Sequence, residues 1–268
     1  MDPGPLRDVL TIVLGLFTGA LSGAFGVGGA VLSTPGIRAL GVAPLVAVGT
    51  TLPSIFPSAA TGAWRYQREG LIDRTAALLT IPTGLVAAVV GALLAEHVPG
   101  GGHLLMLLTA GLLLFTAVRM ARPPAAPASP ESDVEVAPAH EAGHRSRPAF
   151  AAVGVLAGLL SGLLGIGGGV VMVPGFSQIG GLSVKSAVAT SLVCVAAFAI
   201  PGTVTHAVLG NIDWGVALLL TAAVVPGARI GAALTLRASE RGLRRAVAAF
   251  LGVVAIVYAV GELASLAS

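Results

Sequence analysis

Eighteen residues, Gly19 to Gly36 (GALSGAFGVGGAVLSTPG), are written a second time as Gly158 to Gly175 (GLLSGLLGIGGGVVMVPG), with ten positions identical. The register then holds with one residue inserted in the second copy. Thr50 and Thr51 fall on Thr190 and Ser191, Gly70 and Asp73 on Gly210 and Asp213, and Gly91 on Gly231. A repeat this long fixes the plan of the chain as a tandem of two related halves.

Such halves cannot be soluble domains. Hydrophobic residues make up 55% of the chain and charged residues only 10%, with a mean hydropathy of +0.93. That composition belongs in a bilayer. Apolar runs of about 20 residues, the length that crosses a hydrocarbon core, recur at Pro44–Ala63, Thr75–Val98, Leu104–Met120, Val184–Thr205, Ile212–Leu236 and Ala246–Leu266. A further apolar stretch leads each half, from Leu6 and from Phe150, into its glycine motif. The first resembles a signal peptide, but its repetition in the second half marks it as a retained structural segment. The net charge of +3 sits at span edges without interleaved aromatics, so no nucleic acid is expected. The single cysteine, Cys194, excludes an internal disulfide and a Cys-rich metal site.

The arginines choose between two topologies, because cytoplasmic loops favour Lys and Arg. Eight simple spans divide the basic residues eight against six. If each leading stretch instead breaks at its glycines and folds back, three full spans remain per half. The division is then two (Arg7, Arg38) against twelve (Arg65, Arg68, Arg74, Arg119, Arg122, Arg145, Arg147, Lys185, Arg237, Arg241, Arg244, Arg245). An odd number of spans per half turns the second copy upside down. The expected fold is therefore an all-α polytopic membrane protein built as an inverted repeat, each half a glycine-broken or re-entrant leading helix plus three spans. Residues 1–120 form the first repeat, 121–148 a Pro-rich, disordered cytoplasmic linker, and 149–268 the second repeat. Both termini lie outside the cell membrane in this arrangement.

Glycine weakens a helix by about 1 kcal/mol per position, and Gly23, Gly26, Gly28 and Gly29 crowd into seven residues. Close helix packing explains Gly19 and Gly23, whereas the GxGG spacing keeps no single face. Pro53 and Pro57 are expected to interrupt the next span. Trp64 and Tyr66 beside Arg65 and Arg68 read as an interfacial anchor. Asp73 and Asp213 read as helix N-caps. Their alternative, as proton carriers, is the weaker reading. His140 to His144 spells H-E-x-x-H, but between Pro138 and Pro148 with an internal glycine it lacks the helix a zinc site needs, and no metal or cofactor is expected.

The repeated motif G-x-x-G-x-G-G-[AG]-x(4)-P, opening both halves of a small apolar chain, resembles the TauE/SafE family of sulfite exporters and related permeases. Ala30 stands where copy two has a third glycine. The resemblance implies transport of small sulfur-containing anions such as sulfite or organosulfonates. The residues agree independently, since helices restarting after the glycines would aim N–H groups and positive dipole ends at an oxyanion. The substrate-binding candidates are Ser22, Gly26, Gly28, Gly29, Thr50 and Thr51 in the first half and Ser161, Gly165, Gly167, Gly168, Thr190 and Ser191 in the second. Arg229, which replaces the Val89 of copy one, either adds field to that site or snorkels to the interface. The expected partners are a small anionic solute and the lipid bilayer, and a homo-oligomer is compatible with the sequence. No nucleophile and base pair within the spans, so an enzyme is disfavoured. A permease for another solute and a non-transporting structural protein stay open as alternatives.

Overall fold

A computed structural model describes residues 4–95, 103–121, 147–164 and 168–267. The described residues form helices throughout, five per half. The first half contains α1 (Pro5–Phe25), α2 (Ala30–Ala39), α3 (Pro44–Arg68), α4 (Arg74–Ala95) and α5 (His103–Ala121). The second repeats them as α6 (Arg147–Leu164), α7 (Gly169–Gln178), α8 (Val184–Val208), α9 (Trp214–Arg237) and α10 (Glu240–Ala267). Residues 122–146 of the linker, with the His140–His144 motif, lie outside the described residues, as do Gly165 and Gly167.

Among the described residues, five helices are long and apolar enough to cross a membrane: Pro5–Phe25, Arg74–Gly91, Val184–Val208, Trp214–Arg237 and Glu240–Gly261. Large apolar side chains point outward along them, among them Phe17, Leu78, Ile200, Leu218 and Val253. Small and hydroxyl-bearing residues fill the interior, including Thr18, Ser54, Thr80 and Thr190. They lie among an apolar core that includes Ile55, Phe176 and Leu192, the packing of small residues and interior hydroxyls that brings membrane helices close together. It also explains why α3 is not among the five: its Thr50, Thr51, Ser54 and Ser58 are all buried in the bundle.

The leading stretches do fold back. A Cβ on Gly29 would meet Thr18, and one on Gly36 would meet Leu14. In the second half, Gly168 lies against Ala157 and Gly175 against Val153. Each short helix thus descends antiparallel along the helix that precedes it. Pro53 and Pro57, by contrast, leave α3 unbroken from Pro44 to Arg68. Interior hydroxyls bond back to nearby carbonyls there, Thr51 to Val48 and Ser54 to Thr51, the kind of local support that lets proline sit within a membrane helix.

The halves are interlocked rather than side by side. Helix α1 packs along α9 and α6 along α4, each pair parallel and in backbone contact. Cβ atoms on Gly15, Gly19 and Gly23 would collide with Ala223, Val224 and Ala228, and those on Gly154 and Gly158 with Thr80 and Gly84. Helices α3 and α8 cross antiparallel at the centre, with Gly49 near His206, Leu52 near Gly202 and Gly62 near Leu192.

At one end of the bundle, Lys185 donates to the Leu236 carbonyl at 3.0 Å and Ser186 to the Leu71 carbonyl at 2.7 Å. Arg119 and Gln178 exchange two bonds. These contacts gather Arg74, Lys185 and Arg237 together. Arg7 pairs with Asp213 at the opposite end, 2.9 Å away.

Candidate functional site

The two glycine breaks meet. Gly169, the first residue of α7, presses its α-carbon against the backbone of Gly26 and Val27, leaving no room for a Cβ. Helix α1 ends at Gly26 in the left-handed region (φ 68°), its N–H donating to the Ser22 carbonyl at 2.9 Å. Gly28 (φ 79°) is left-handed as well, and α2 restarts from Gly29 with no side chain capping it. The α7 N-terminus at Gly168 is equally uncapped. A helix start that no side chain caps, with the dipole behind it, favours an anion.

Around this junction the sequence-derived candidates divide into two groups. The four hydroxyls of the central helices are already committed. Thr50 accepts from the Asp213 N–H at 2.9 Å and Thr190 from the Asp73 N–H at 3.0 Å, a reciprocal clasp between the halves. Ser191 donates to the Gly26 carbonyl at 2.9 Å, and Thr51 to the Val48 carbonyl while touching Thr34 at 3.1 Å. Asp73 and Asp213 cap α4 and α9 as read from sequence, accepting from Ala76 and Val216.

Ser22 is different. Its Oγ is buried without a hydrogen-bond partner, one of three such side-chain atoms among the described residues with Ser58 Oγ and His206 Nδ1. Ser22 lines a narrow pocket against Thr18, Gly28 and Gly29. Ser58 lies on α3 one turn before Gly62, which touches Gly23. Nothing in the sequence marked Ser58, because copy two carries Phe198 at its place. Ser161, the counterpart of Ser22, is half-buried.

Two further placements were not legible. Tyr66 is fully buried and donates to the Gly23 carbonyl at 2.8 Å, which corrects its reading as an interfacial anchor. Trp64 is exposed, with the Arg68 guanidinium 3.8 Å above its ring. Thr235 likewise donates to the Ala24 carbonyl at 3.0 Å, so the last turn of α1 is braced from α3 and α9 together. Tyr66→Phe is expected to lower stability by about 1–2 kcal/mol, the cost of stranding a buried carbonyl, measurable by thermal unfolding in detergent. Arg229 is exposed on α9, while its neighbours Ala228 and Gly231 face α1. The structure therefore turns it outward instead of into the junction.

Among the described residues no cluster of three His, Cys, Asp or Glu could hold a metal. The sequence model of the family described as Sulfite exporter TauE/SafE matches residues 11–258. Similar curated proteins include the probable membrane transporter protein YunE of Bacillus subtilis, 26% identical over 84% of this chain and 88% of its own length. A probable membrane transporter protein of Xylella fastidiosa is 27% identical over 92% of this chain and 93% of its own. The archaeon Methanocaldococcus jannaschii has another, 25% identical over 92% and 93%. No solved structure matches.

Proposed function

The chain belongs to the Sulfite exporter TauE/SafE family and is a membrane transporter, and from that premise we propose that it carries small sulfur-containing anions, sulfite or simple organosulfonates, by alternating access. The observation that carries this reading is the buried Ser22 hydroxyl without a partner, in a pocket that also takes in Gly28 and Gly29 at the start of α2, which no side chain caps, while the start of α7 meets Gly26 and Val27. Oxyanions are bound by such backbone donors without a formal positive charge. An electroneutral site of that kind releases its ligand readily, as a transporter must.

The antiparallel crossing of α3 and α8 supports an inverted repeat, since helices equivalent by sequence run in opposite directions there. The basic end gathered around Lys185 and Arg74 is the cytoplasmic one on the positive-inside preference, and both termini then lie outside. The moving bodies in this reading exchange helices: backbone contacts bind α1 to α9 and α4 to α6, so each rocking unit draws from both halves. Arg229 serves as an interfacial anchor. In the first half, Ser22, Gly28 and Gly29 hold the anion, while Gly26 and Ser191 fix the turn.

Labelled sulfite in proteoliposomes, with a sulfonate and sulfate as comparators and with and without a pH gradient, tests the assignment. Saturable sulfite flux is expected. Ser22→Ala should raise the half-saturation concentration about tenfold, the worth of one hydrogen bond to a charged ligand. Stability should stay equal or rise by about 1 kcal/mol, since an unpartnered buried hydroxyl is removed. Absence of flux for all three anions under every gradient would return the substrate class to other small solutes.

A further inference from the structure

The pocket beside the first glycine motif is closed in a lopsided way. Every described wall but one comes from residues 18 to 32 of the α1–α2 hairpin, and the remaining wall is the ring of Phe250 on α10. No space for a water molecule is left between them. Yet the pocket holds the Ser22 hydroxyl, 2% exposed and without a partner, and adjoins the uncapped start of α2. Polar groups in that condition are satisfied only by something that enters, and nothing enters unless a wall moves.

The hairpin wall is fixed. The α1 backbone lies against Val224 and Ala228, its last turn takes bonds from Tyr66 and Thr235, and the Gly26 carbonyl takes one from Ser191. Phe250, in contrast, is held by apolar contact, with its ring centroid 4.9 Å from that of Phe25 and tilted by 35°. Resting on the transporter reading above, we propose that Phe250 is the gate and size filter of the first-half anion pocket. Its ring leaves Phe25 to admit the ligand and stays displaced while the ligand is bound, since the closed pocket has no room for even a water molecule. A small oxyanion displaces the ring least, whereas the carbon chain of a larger sulfonate must push it farther from Phe25. The equivalent position in the first half is Ala110, so the gate serves one motif only.

Cysteine accessibility tests this without reference to substrate. In a Cys194→Ala background, Ser22→Cys reports the first pocket and Ser161→Cys the matching place in the second half. Thr18→Cys, on the same wall as Ser22, is the second reporter should Ser22→Cys fail to accumulate. An impermeant anionic methanethiosulfonate is expected to label the first-pocket cysteine at least about tenfold faster once Phe250→Ala is added, with Ser161→Cys unchanged. An unchanged first-pocket rate overturns the gate, and so does an equal rise at both sites, which would mean general loosening. Flux read in parallel separates the two ideas. Phe250→Ala should shift the sulfonate-to-sulfite flux ratio about tenfold toward the longer sulfonate. Faster labelling with no flux of either anion keeps the gate and rejects the substrate class; an unchanged ratio with intact flux rejects the size filter.

Discussion

Gly19→Ala is expected to lower stability by about 3 kcal/mol, and Gly158→Ala, at the matching position of the second half, by a similar amount. The reason is backbone contact on both sides of the molecule. An added methyl on Gly19 would lie 2.7 Å from the Val224 α-carbon, and one on Gly158 2.7 Å from the Gly84 α-carbon. Main chain in a packed helix cannot swing aside as a side chain can, so the helices must part along their length. Gly111 on α5, with nothing within 4 Å of its added methyl, provides the control. Alanine there should be neutral or stabilise slightly through helix propensity. Thermal unfolding in detergent distinguishes the cases, and equal melting of Gly19→Ala and Gly111→Ala would contradict the interlocked arrangement.

That arrangement marks the limit of what the sequence discloses. The repeat, the fold-back at the glycines and the two aspartate caps are legible because each is local, a matter of glycine spacing or of one carboxylate before a helix. Which helices touch is not local. The glycines at 15, 19 and 23 signal that something approaches α1 closely, but the partner, α9, is some 200 residues away in sequence and carries its own glycines at 227 and 231. The same motif holds two roles, and its glycine spacing tells them apart even though the packing partner stays hidden. Gly19 and Gly23 pack, and Gly26 to Gly29 break the helix.

Tyr66 illustrates a second limit. An aromatic residue among arginines has the pattern of an interfacial anchor, and Trp64 two residues earlier is exposed as that pattern expects. In a helix those two side chains lie on different faces, and only the packing of α3 on α1 sends Tyr66 inward to Gly23. The hydroxyls show a third. Thr50, Thr51, Thr190 and Ser191 are conspicuous as paired donors, but backbone groups, and for Thr51 the Thr34 hydroxyl besides, already engage them. Ser22 is the exception: unlike Thr11 and Thr18 on the same helix, which bond back to Arg7 and Gly15 carbonyls, its hydroxyl makes no such bond.

The turn itself gives the sharpest functional expectation. Gly26→Ala should reduce sulfite flux to background at temperatures where the protein remains folded. Two penalties meet at this residue. The left-handed φ of 68° costs an L-residue roughly 1–2 kcal/mol. The added methyl also strikes Ser191 Oγ and comes within 2.9 Å of the Val188 carbonyl, so the bond from Ser191 to the Gly26 carbonyl cannot survive. Relief requires the turn to rotate, which re-aims the start of α2 and parts Gly26 from Gly169. Gly70 isolates the first penalty, since its φ of 67° is the same and nothing lies within 4 Å. Gly70→Ala should therefore lose about 1 kcal/mol of stability and keep its flux. If both alanine variants transport normally, the meeting of the two breaks is architecture alone; if only Gly26→Ala fails, the geometry of that turn is what the anion reads.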